Sequence, residues 1–179
     1  MNRRLERFML NFSHSSMNGS STISFPIADG LFNFRVVGVA IQNGKLLLHK
    51  TPSDNFWSLP GGRSDMFEIT AQTLLREMSE ETGMEVVVGD LLWVVENFFE
   101  YNGIRHHEIG FYYKMEILDL QNELDFVATE EGSELTFHWH SLQNLHQIKI
   151  YPEFITSDLI ENTTSTKHIV ADFKNLNEG

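Results

Sequence analysis

The hydrophobic positions of residues 34–50 predict two strands joined by a tight turn. Residues 36–41 are apolar almost throughout, which is typical of a strand covered on both faces. Asn43-Gly44 separates this run from a second apolar run over residues 46–48. Because Asn-Gly is the strongest short-range signal for a hairpin, we expect the two strands to pair directly.

Further apolar runs predict more strands of the same sheet after residue 85. Residues 86–88, 91–95 and 97–101 have strand character, and Asn102-Gly103 predicts a second hairpin turn. The returning strand, residues 104–118, alternates apolar with polar or small side chains. This pattern predicts a hairpin with one face against a core.

Polar side chains on this second hairpin are candidates for a pocket. Glu108 lies on the polar face of the returning strand, and we expect Glu96 to border the same pocket. His106 and His107 lie next to the turn, where we expect exposure to solvent rather than a role in proton transfer.

Residues 70–82 have the periodicity of an amphipathic helix. The stripe expected to pack on the sheet is mostly apolar and comprises Ala71, Leu74, Leu75, Met78 and Thr82. Thr70 is the expected N-cap, since threonine hydroxyls accept hydrogen bonds from the first backbone N–H groups of a helix. Gly83 is expected to end the helix in the left-handed conformation.

The remainder of the chain is predicted to be one domain with two extensions. Residues 119–133 are expected to be mostly loop, residues 135–140 a strand, 141–145 a short helical turn and 152–162 a helix. We place the domain at residues 22–165, with a partly disordered N-terminal extension at 1–21 and a fraying C-terminal tail at 166–179. Within the first extension, Leu5, Phe8, Met9 and Phe12 have helical spacing, which predicts a short amphipathic helix that docks on the domain or on a partner.

Composition excludes several classes of function. The 179 residues include no cysteine, which rules out disulfides, thiolate zinc sites and cysteine nucleophiles. The formal charge of −12 disfavours binding to long nucleic acid or anionic lipid. No apolar run is long enough for a membrane span, and no signal peptide is recognisable at the N-terminus, so we expect a cytoplasmic protein.

The predicted helix also carries a stripe of negative charge. At 100° per residue, Glu81 lies about 40° from Glu77 and Glu80 about 60° away on the other side. Like charges at these spacings repel each other. Oxygen ligands at this density suit a hard divalent cation, Mg²⁺ or Mn²⁺, which is usually completed by water and by substrate phosphates.

The spacing of these residues is similar to a known motif. Its fixed positions are Gly62, Glu68, Arg76, Glu77, Met78, Glu80, Glu81, Gly83 and Met84. They follow the pattern G, five residues, E, seven residues, R-E-apolar-x-E-E-x-G-apolar, by which the chain resembles the Nudix hydrolase superfamily. The flanking pattern extends this resemblance over residues 34–145. It implies an α/β fold, the Nudix α/β/α sandwich with a mixed sheet between helices.

The resemblance also implies an activity and a set of site residues. The activity is hydrolysis of a diphosphate linkage in a nucleoside diphosphate derivative by attack of water on phosphorus. Gly62, Glu77, Glu80 and Glu81 are the implied metal ligands. Arg76 is implied to orient Glu68 through a bidentate ion pair, and Glu77 or a loop glutamate to accept the proton of the water. Two positions differ from the usual loop, since Phe67 replaces a common glycine and Asp65 a frequent glutamate.

Several alternatives stay open at this stage. Glu108, Glu130 and Glu131 are candidates for a further ligand or base. A diadenosine polyphosphate hydrolase is one alternative function, because Tyr101 lies 17 residues past the motif. A non-catalytic nucleotide sensor is another, and a homodimer is an open prediction. The aromatic residues considered for binding a base are Phe98, Phe99, Tyr112 and Trp139.

Overall fold

The computed structural model describes residues 21–118, 126–130, 133–156, 159–160 and 163–175. Within these ranges nine strands form one mixed sheet. The strands are β1 (Ser24–Ile27), β2 (Gly30–Gln42), β3 (Lys45–Lys50), β4 (Gly61–Arg63), β5 (Val86–Tyr101), β6 (Ile104–Ile117), β7 (Phe126–Glu130), β8 (Ser133–Ser141) and β9 (Lys167–Asn175). The helix α1 covers Thr70–Thr82, and a 3-10 helix covers Leu142–Gln147.

The order of the strands explains why the sheet is mixed. Along the sheet the order is β7-β8-β3-β2-β6-β5-β9, and both β1 and β4 pair with β2. The central pair, β2 with β6, is parallel, as is β5 with β9, whereas the other pairs are antiparallel. Because β4 pairs with β2, the glycines at the start of the motif lie directly beside β2.

Both faces of the sheet are covered, as the apolar run in β2 predicts. Val36 and Ala40 join a core with Leu74 and Met78 of α1. Val37 and Val39 point to the opposite face, where the core includes Leu142 and Leu145 of the 3-10 helix. The predicted sandwich of a mixed sheet between helical layers is confirmed.

Both predicted hairpin turns are confirmed. Asn43 and Gly44 have φ angles of 48° and 73°, and Asn102 and Gly103 have φ angles of 52° and 75°. Positive φ at both central residues is the conformation that matches the twist of two-residue hairpins. The second turn pairs Tyr101 directly with Ile104, which fixes the register of the β5–β6 hairpin.

Strand β5 is longer than the sequence suggests. The three runs predicted over residues 86–101 form one strand, whose register against β6 shifts between Val88 and Trp93. Gly89 and Asp90 lie in this irregular part. These residue types suggest the end of a strand, but here they form a bulge within β5.

The prediction of a fraying tail is wrong for residues 167–175, which form strand β9. Ile169 and Ala171 pack against the core, while Val170 between them is exposed. This alternation is that of an edge strand, and it outweighs the polar composition of the segment. Residues 1–20 and 176–179, which include most of the predicted N-terminal extension, lie outside the described residues.

Two further predictions for the C-terminal half are wrong in part. Part of the expected loop over residues 119–133 is strand β7, in which Phe126 stacks on Phe137 with ring centroids 4.6 Å apart. In the expected helix over residues 152–162, only 159 and 160 are helical among the described residues. Tyr151 and Pro152 instead form a bend at the wall of a cavity. Within the described ranges, no helix is long and apolar enough to cross a membrane.

Candidate active site

Helix α1 is held on the sheet by its apolar face and ends as expected. Gly83 has a φ of 70°, and its N–H donates to the carbonyl oxygen of Ser79 at 3.0 Å. The N-cap prediction is wrong, since Ile69 occupies that position without a side-chain cap. The hydroxyl of Thr70 lies 2.6 Å from that of Tyr113 instead. Thr70 is the first helical residue, and its hydroxyl contact with Tyr113 connects the helix to the sheet.

Arg76 lies at the centre of the acidic face of α1. Its Nε and Nη2 donate to Oε1 and Oε2 of Glu68 at 2.9 and 3.0 Å, which is a bidentate ion pair. Its Nη1 donates to Glu77 Oε1 at 2.8 Å and to Glu80 Oε2 at 3.1 Å. The expected contact between Arg76 and Glu68 is therefore present, and one guanidinium orients three carboxylates.

Glu68 has additional support that the sequence motif does not include. Thr73 Oγ1 donates to Glu68 Oε2 at 2.8 Å, and the backbone N–H of Asp65 donates to the same oxygen at 3.2 Å. Ser64 Oγ lies 3.0 Å from Thr73 Oγ1 and extends this buried chain. The hydrogen bonds from Arg76, followed by those from Thr73 and Asp65, lower the pKa of Glu68 to about 2.

Glu68→Gln is expected to remove a pH-dependent part of the stability. Because the pKa of Glu68 is lower in the folded protein than in the unfolded chain, its contribution is full above about pH 4.5 and is lost as pH falls towards 2. We expect the variant to be less stable by about 1 to 2 kcal/mol at pH 7 and the difference to shrink below pH 4.5. Urea unfolding at several pH values measures this. The exposed Glu116→Gln is the control, and a difference that stays constant down to pH 2 would contradict the assignment.

The Glu77 carboxylate is packed against the backbone of Gly62. A Cβ atom at position 62 would lie 2.0 Å from Glu77 Cδ and 2.2 Å from its Oε2, so only glycine leaves room for this carboxylate. Gly61 before it has a φ of 135°, and its carbonyl oxygen accepts a hydrogen bond from Arg35 Nη2 at 2.7 Å. The glycine pair thus brings a backbone segment and an acidic side chain into direct contact.

The other two acidic residues of α1 differ in environment. Glu81 is buried, with 7% of its surface exposed, whereas the side chain of Glu80 is 62% exposed. In the described part of the chain, no three acidic or histidine side chains are grouped so as to hold a metal ion. Arg76 instead engages both Glu77 and Glu80.

The donor set nevertheless fits a hard divalent cation. Glu77 and Glu81 are both buried and lie one helical turn apart on the same face. Burial of two like charges is costly unless positive charge compensates it, and Arg76 is shared with Glu68 and Glu80. All these donors are oxygen atoms, which Mg²⁺ and Mn²⁺ prefer. The contact of Glu77 with Gly62 also brings the backbone of residue 62 next to these oxygen donors.

In the loop before α1, residue 67 has a backbone conformation typical of glycine although it is a phenylalanine. Phe67 has a φ of 69°, in the left-handed region, and is 90% exposed. Asp65 Oδ1 accepts a hydrogen bond from Thr22 Oγ1 at 3.1 Å. The loop is therefore apolar at its tip, and Asp65 is used to hold the incoming chain.

A cavity of about 600 Å³ begins at this acidic face and continues across the sheet. Arg35 and Arg63 line it and are direct partners in the β2–β4 pair. Like charges at directly opposite strand positions are destabilising, so this pair favours an anion between or above them. Arg63 follows Gly62 in sequence, and Arg35 precedes Val36, the β2 partner of Gly62. The arginines and the acidic face of α1 thus line one cavity.

The far end of the cavity carries a buried hydrogen-bonded chain. Tyr151 donates to Asn97 Oδ1 at 2.8 Å, and Asn97 Nδ2 lies 3.3 Å from Glu108 Oε1. Burial raises the pKa of Glu108, while the charge of Arg35 and the hydrogen bond from Asn97 oppose this rise. Glu108 pairs with Asn33 of β2, three residues before Val36, the partner of Gly62. Glu108 is thus about 10 Å along the sheet from the row of Gly62.

The expectation that Glu96 borders the same pocket is wrong. The two-residue turn at Asn102-Gly103 places Asn97 opposite Glu108, so the neighbouring Glu96 points to the other face. Its Oε1 lies 2.8 Å from Nε2 of His168 on β9. Of the other candidates, Glu130 lies on the edge strand β7, and Glu131 lies outside the described residues.

Aromatic rings also line the far end. Phe99 and His106 stack with centroids 4.6 Å apart and an interplanar angle of 2°. Tyr112 lies on the floor, and Tyr101 donates to Asp54 Oδ1 at 2.8 Å. His106 is thus part of the cavity wall rather than an exposed turn residue. The other two aromatic candidates lie elsewhere, with Phe98 against His107 and Trp139 in the core under α1.

Sequence reasoning missed several of the cavity residues. Arg35 was detectable as a single cation in an apolar strand, but Asn97 and Tyr151 carry no local signal. His49, which also lines the cavity, is likewise unpredicted. Burial lowers its pKa to about 4, and its Nε2 lies 3.2 Å from the carbonyl oxygen of Leu59, so the neutral ring donates there.

Comparison with known proteins identifies similar sequences and structures. A family model described as NUDIX domain matches residues 33–156. A MutT-like protein from Streptomyces ambofaciens is 35% identical over 68 residues, which are 37% of this chain and 44% of the relative. A putative mutator protein MutT4 from Mycobacterium tuberculosis is 32% identical over 83 residues, 46% of this chain and 30% of the relative. These matches span less than half the length of either curated relative.

Solved structures share the fold at low sequence identity. A Nudix hydrolase from Nitrosomonas europaea has a TM-score of 0.57 at 18% identity, covering 89% of this chain and 98% of that one. An ADP-ribose pyrophosphatase from Streptococcus suis has a TM-score of 0.54 at 16% identity, with coverage of 77% and 98%. A UDP-X diphosphatase has a TM-score of 0.54 at 19% identity, with coverage of 81% and 69%. At these identities the similarity shows the fold alone.

Proposed function

Because the chain belongs to the NUDIX family, we propose that it is a Mg²⁺-dependent hydrolase that cleaves a diphosphate linkage in a nucleoside diphosphate derivative, with Mn²⁺ as the alternative ion. The observation that carries this proposal is the buried Glu77 carboxylate packed against Gly62, at one end of a cavity lined by two arginines. A solvated acidic helix face would not need glycine at position 62. Carboxylates that bind a cation next to a bound phosphate group explain both the burial and the glycine.

Gly62, Glu77, Glu80 and Glu81 would hold the Mg²⁺ ion. When bound, the ion supplies positive charge for the diphosphate and makes an attacking water more acidic. Arg76 holds Glu77 Oε1 at 2.8 Å and thereby fixes the direction in which this carboxylate accepts a proton from water. Glu68 acts as a positioning residue, because it holds Arg76 through two hydrogen bonds.

Arg35 and Arg63 are proposed to bind the phosphate groups. They lie between the acidic face of α1 and Glu108, and guanidinium groups match phosphate oxygens in geometry and charge. The aromatic and hydrogen-bonding groups at the far end suit a nucleoside, with Phe99 and His106 as a stacking surface. The order of charges along the cavity therefore fits a nucleoside diphosphate derivative. The cytoplasmic location and the homodimer stay predictions.

A substrate screen tests this proposal. We expect the full chain with Mg²⁺ to release phosphate-containing products from at least one member of a panel of nucleotide sugars, ADP-ribose, dinucleotides, nucleoside triphosphates and nucleoside diphosphates. Dinucleotides are included because Tyr101 lines the cavity. Formation of these products is measured by chromatography with and without EDTA, which should abolish it. Binding of a nucleotide without turnover, at any Mg²⁺ concentration, would contradict the proposal and favour a sensor.

A further inference from the structure

Three neighbouring apolar side chains are exposed at the tip of the loop before α1. Phe67 is 90% exposed, and Met66 and Ile69 are both more than half exposed. We call these three residues the loop patch. Single exposed apolar residues are common, but a phenylalanine this exposed is surrounded almost entirely by water. An element that covered the loop patch would therefore bury apolar surface that now faces water.

The backbone of the loop patch is also in an unfavourable conformation. Phe67 has a φ of 69°, in the left-handed region that glycine adopts without cost. For other residues this region is unfavourable, since the side chain crowds the backbone. A glycine at this position would relieve the strain and remove the exposed ring together. An element that buried the Phe67 ring would offset this cost.

The N-terminal segment of this chain enters the domain at the same place. The backbone N–H of Met66 donates to the carbonyl oxygen of Ser21 at 2.8 Å. Thr22 pairs with Asp65 in an isolated bridge, reinforced by the hydrogen bond between their side chains. The described chain thus begins in contact with the loop patch, and residues 1–20 connect directly to it.

We propose that residues 1–20 cover the loop patch with their own apolar side chains. Leu5, Phe8, Met9 and Phe12 have helical spacing and supply a complementary apolar stripe. Phe12 is nine residues before Ser21, and nine extended residues reach about 30 Å, so the connection does not prevent contact with Phe67. The segment would hold the loop that positions Glu68 and Arg76.

A double-mutant cycle in the full chain tests this docking. Phe67→Gly is expected to destabilise the protein when residues 1–20 are native, because the loss of a covered phenylalanine outweighs the relief of strain. We expect the unfolding equilibrium constant to rise at least about tenfold. In the Phe8→Ser/Phe12→Ser background, Phe67→Gly should instead stabilise the protein by up to about fivefold in the same constant. Urea unfolding of the four proteins gives both values.

The control is Val170→Ser, an exposed apolar position on the edge strand β9. Its effect should be the same in both backgrounds. As a second measurement, Phe67→Trp should give emission that shifts to longer wavelength when Phe8 and Phe12 are replaced by serine. Equal effects of Phe67→Gly in the two backgrounds would overturn the proposal. So would a cost of Phe67→Gly that depends on protein concentration, which would indicate a second copy over the patch.

Discussion

Glu81→Gln is expected to lower kcat by at least about 100-fold. The substitution keeps the size of a buried side chain and removes the negative charge that we assign to cation binding. Glu80→Gln is expected to have an effect of the same order, although this side chain is mostly exposed. Steady-state kinetics at saturating Mg²⁺ on the best substrate of the screen measures both.

The matched control for these variants is Glu96→Gln. Glu96 is a glutamate that points away from Asn97 and Glu108 of the cavity and lies beside His168 of β9. Its substitution should leave kcat within about twofold of the wild type, as expected for a surface position. Unchanged activity in both Glu80→Gln and Glu81→Gln would refute the assignment of α1 as a metal-binding helix.

Gly62→Ala is expected to lower both activity and stability. The added Cβ would lie 2.0 Å from Glu77 Cδ, so the carboxylate or the backbone must move. We expect kcat to fall by about 100-fold, since displacement of a positioned group by about 1 Å has this effect. The free energy of unfolding should fall by about 1 to 3 kcal/mol, as is usual for overpacking. Kinetics and urea unfolding measure the two effects.

Gly89→Ala is the control for the added methyl group. Its Cβ would meet the nearest atoms of Lys114 at 3.4 Å, which is ordinary contact. This variant should be close to the wild type in activity. If Gly62→Ala is equally active, Glu77 does not need its present position, and the proposed role of the Gly62–Glu77 contact is wrong.

The parts that the sequence predicts well are those with local signals. The helix from Thr70 to Thr82 follows from its apolar period and from Gly83. The two Asn-Gly turns follow from the need for positive φ. The fold class follows from strands on both flanks of one helix, together with the motif. The contact between Arg76 and Glu68 follows from the motif alone.

The errors arise where long-range pairing outweighs local composition. Strand β9 looks polar, but Ile169 and Ala171 gain a core when the segment pairs with β5. The charge of Glu96 suggests the pocket side, but the register set by Asn102-Gly103 gives that position to Asn97. Thr70 resembles a cap but is engaged by Tyr113, 43 residues away in sequence.

The far end of the cavity shows the same limit. Asn97, Glu108 and Tyr151 come from β5, β6 and the segment after the 3-10 helix, so no single stretch of sequence contains them. Their hydrogen-bonded chain forms only when the sheet is assembled. The acidic end, in contrast, lies within one loop and one helix, so the motif contains its charged side chains in a single stretch.

The most direct test of the account is an Mn²⁺ titration of the full chain, followed by electron paramagnetic resonance of the free ion. The account predicts that the wild type binds Mn²⁺, that Mg²⁺ competes for the same site, and that Glu81→Gln weakens binding by at least about tenfold while Glu96→Gln does not. If the wild type binds no ion, or if all three proteins bind it equally, the buried acidic face of α1 is not a metal site and the central claim is contradicted.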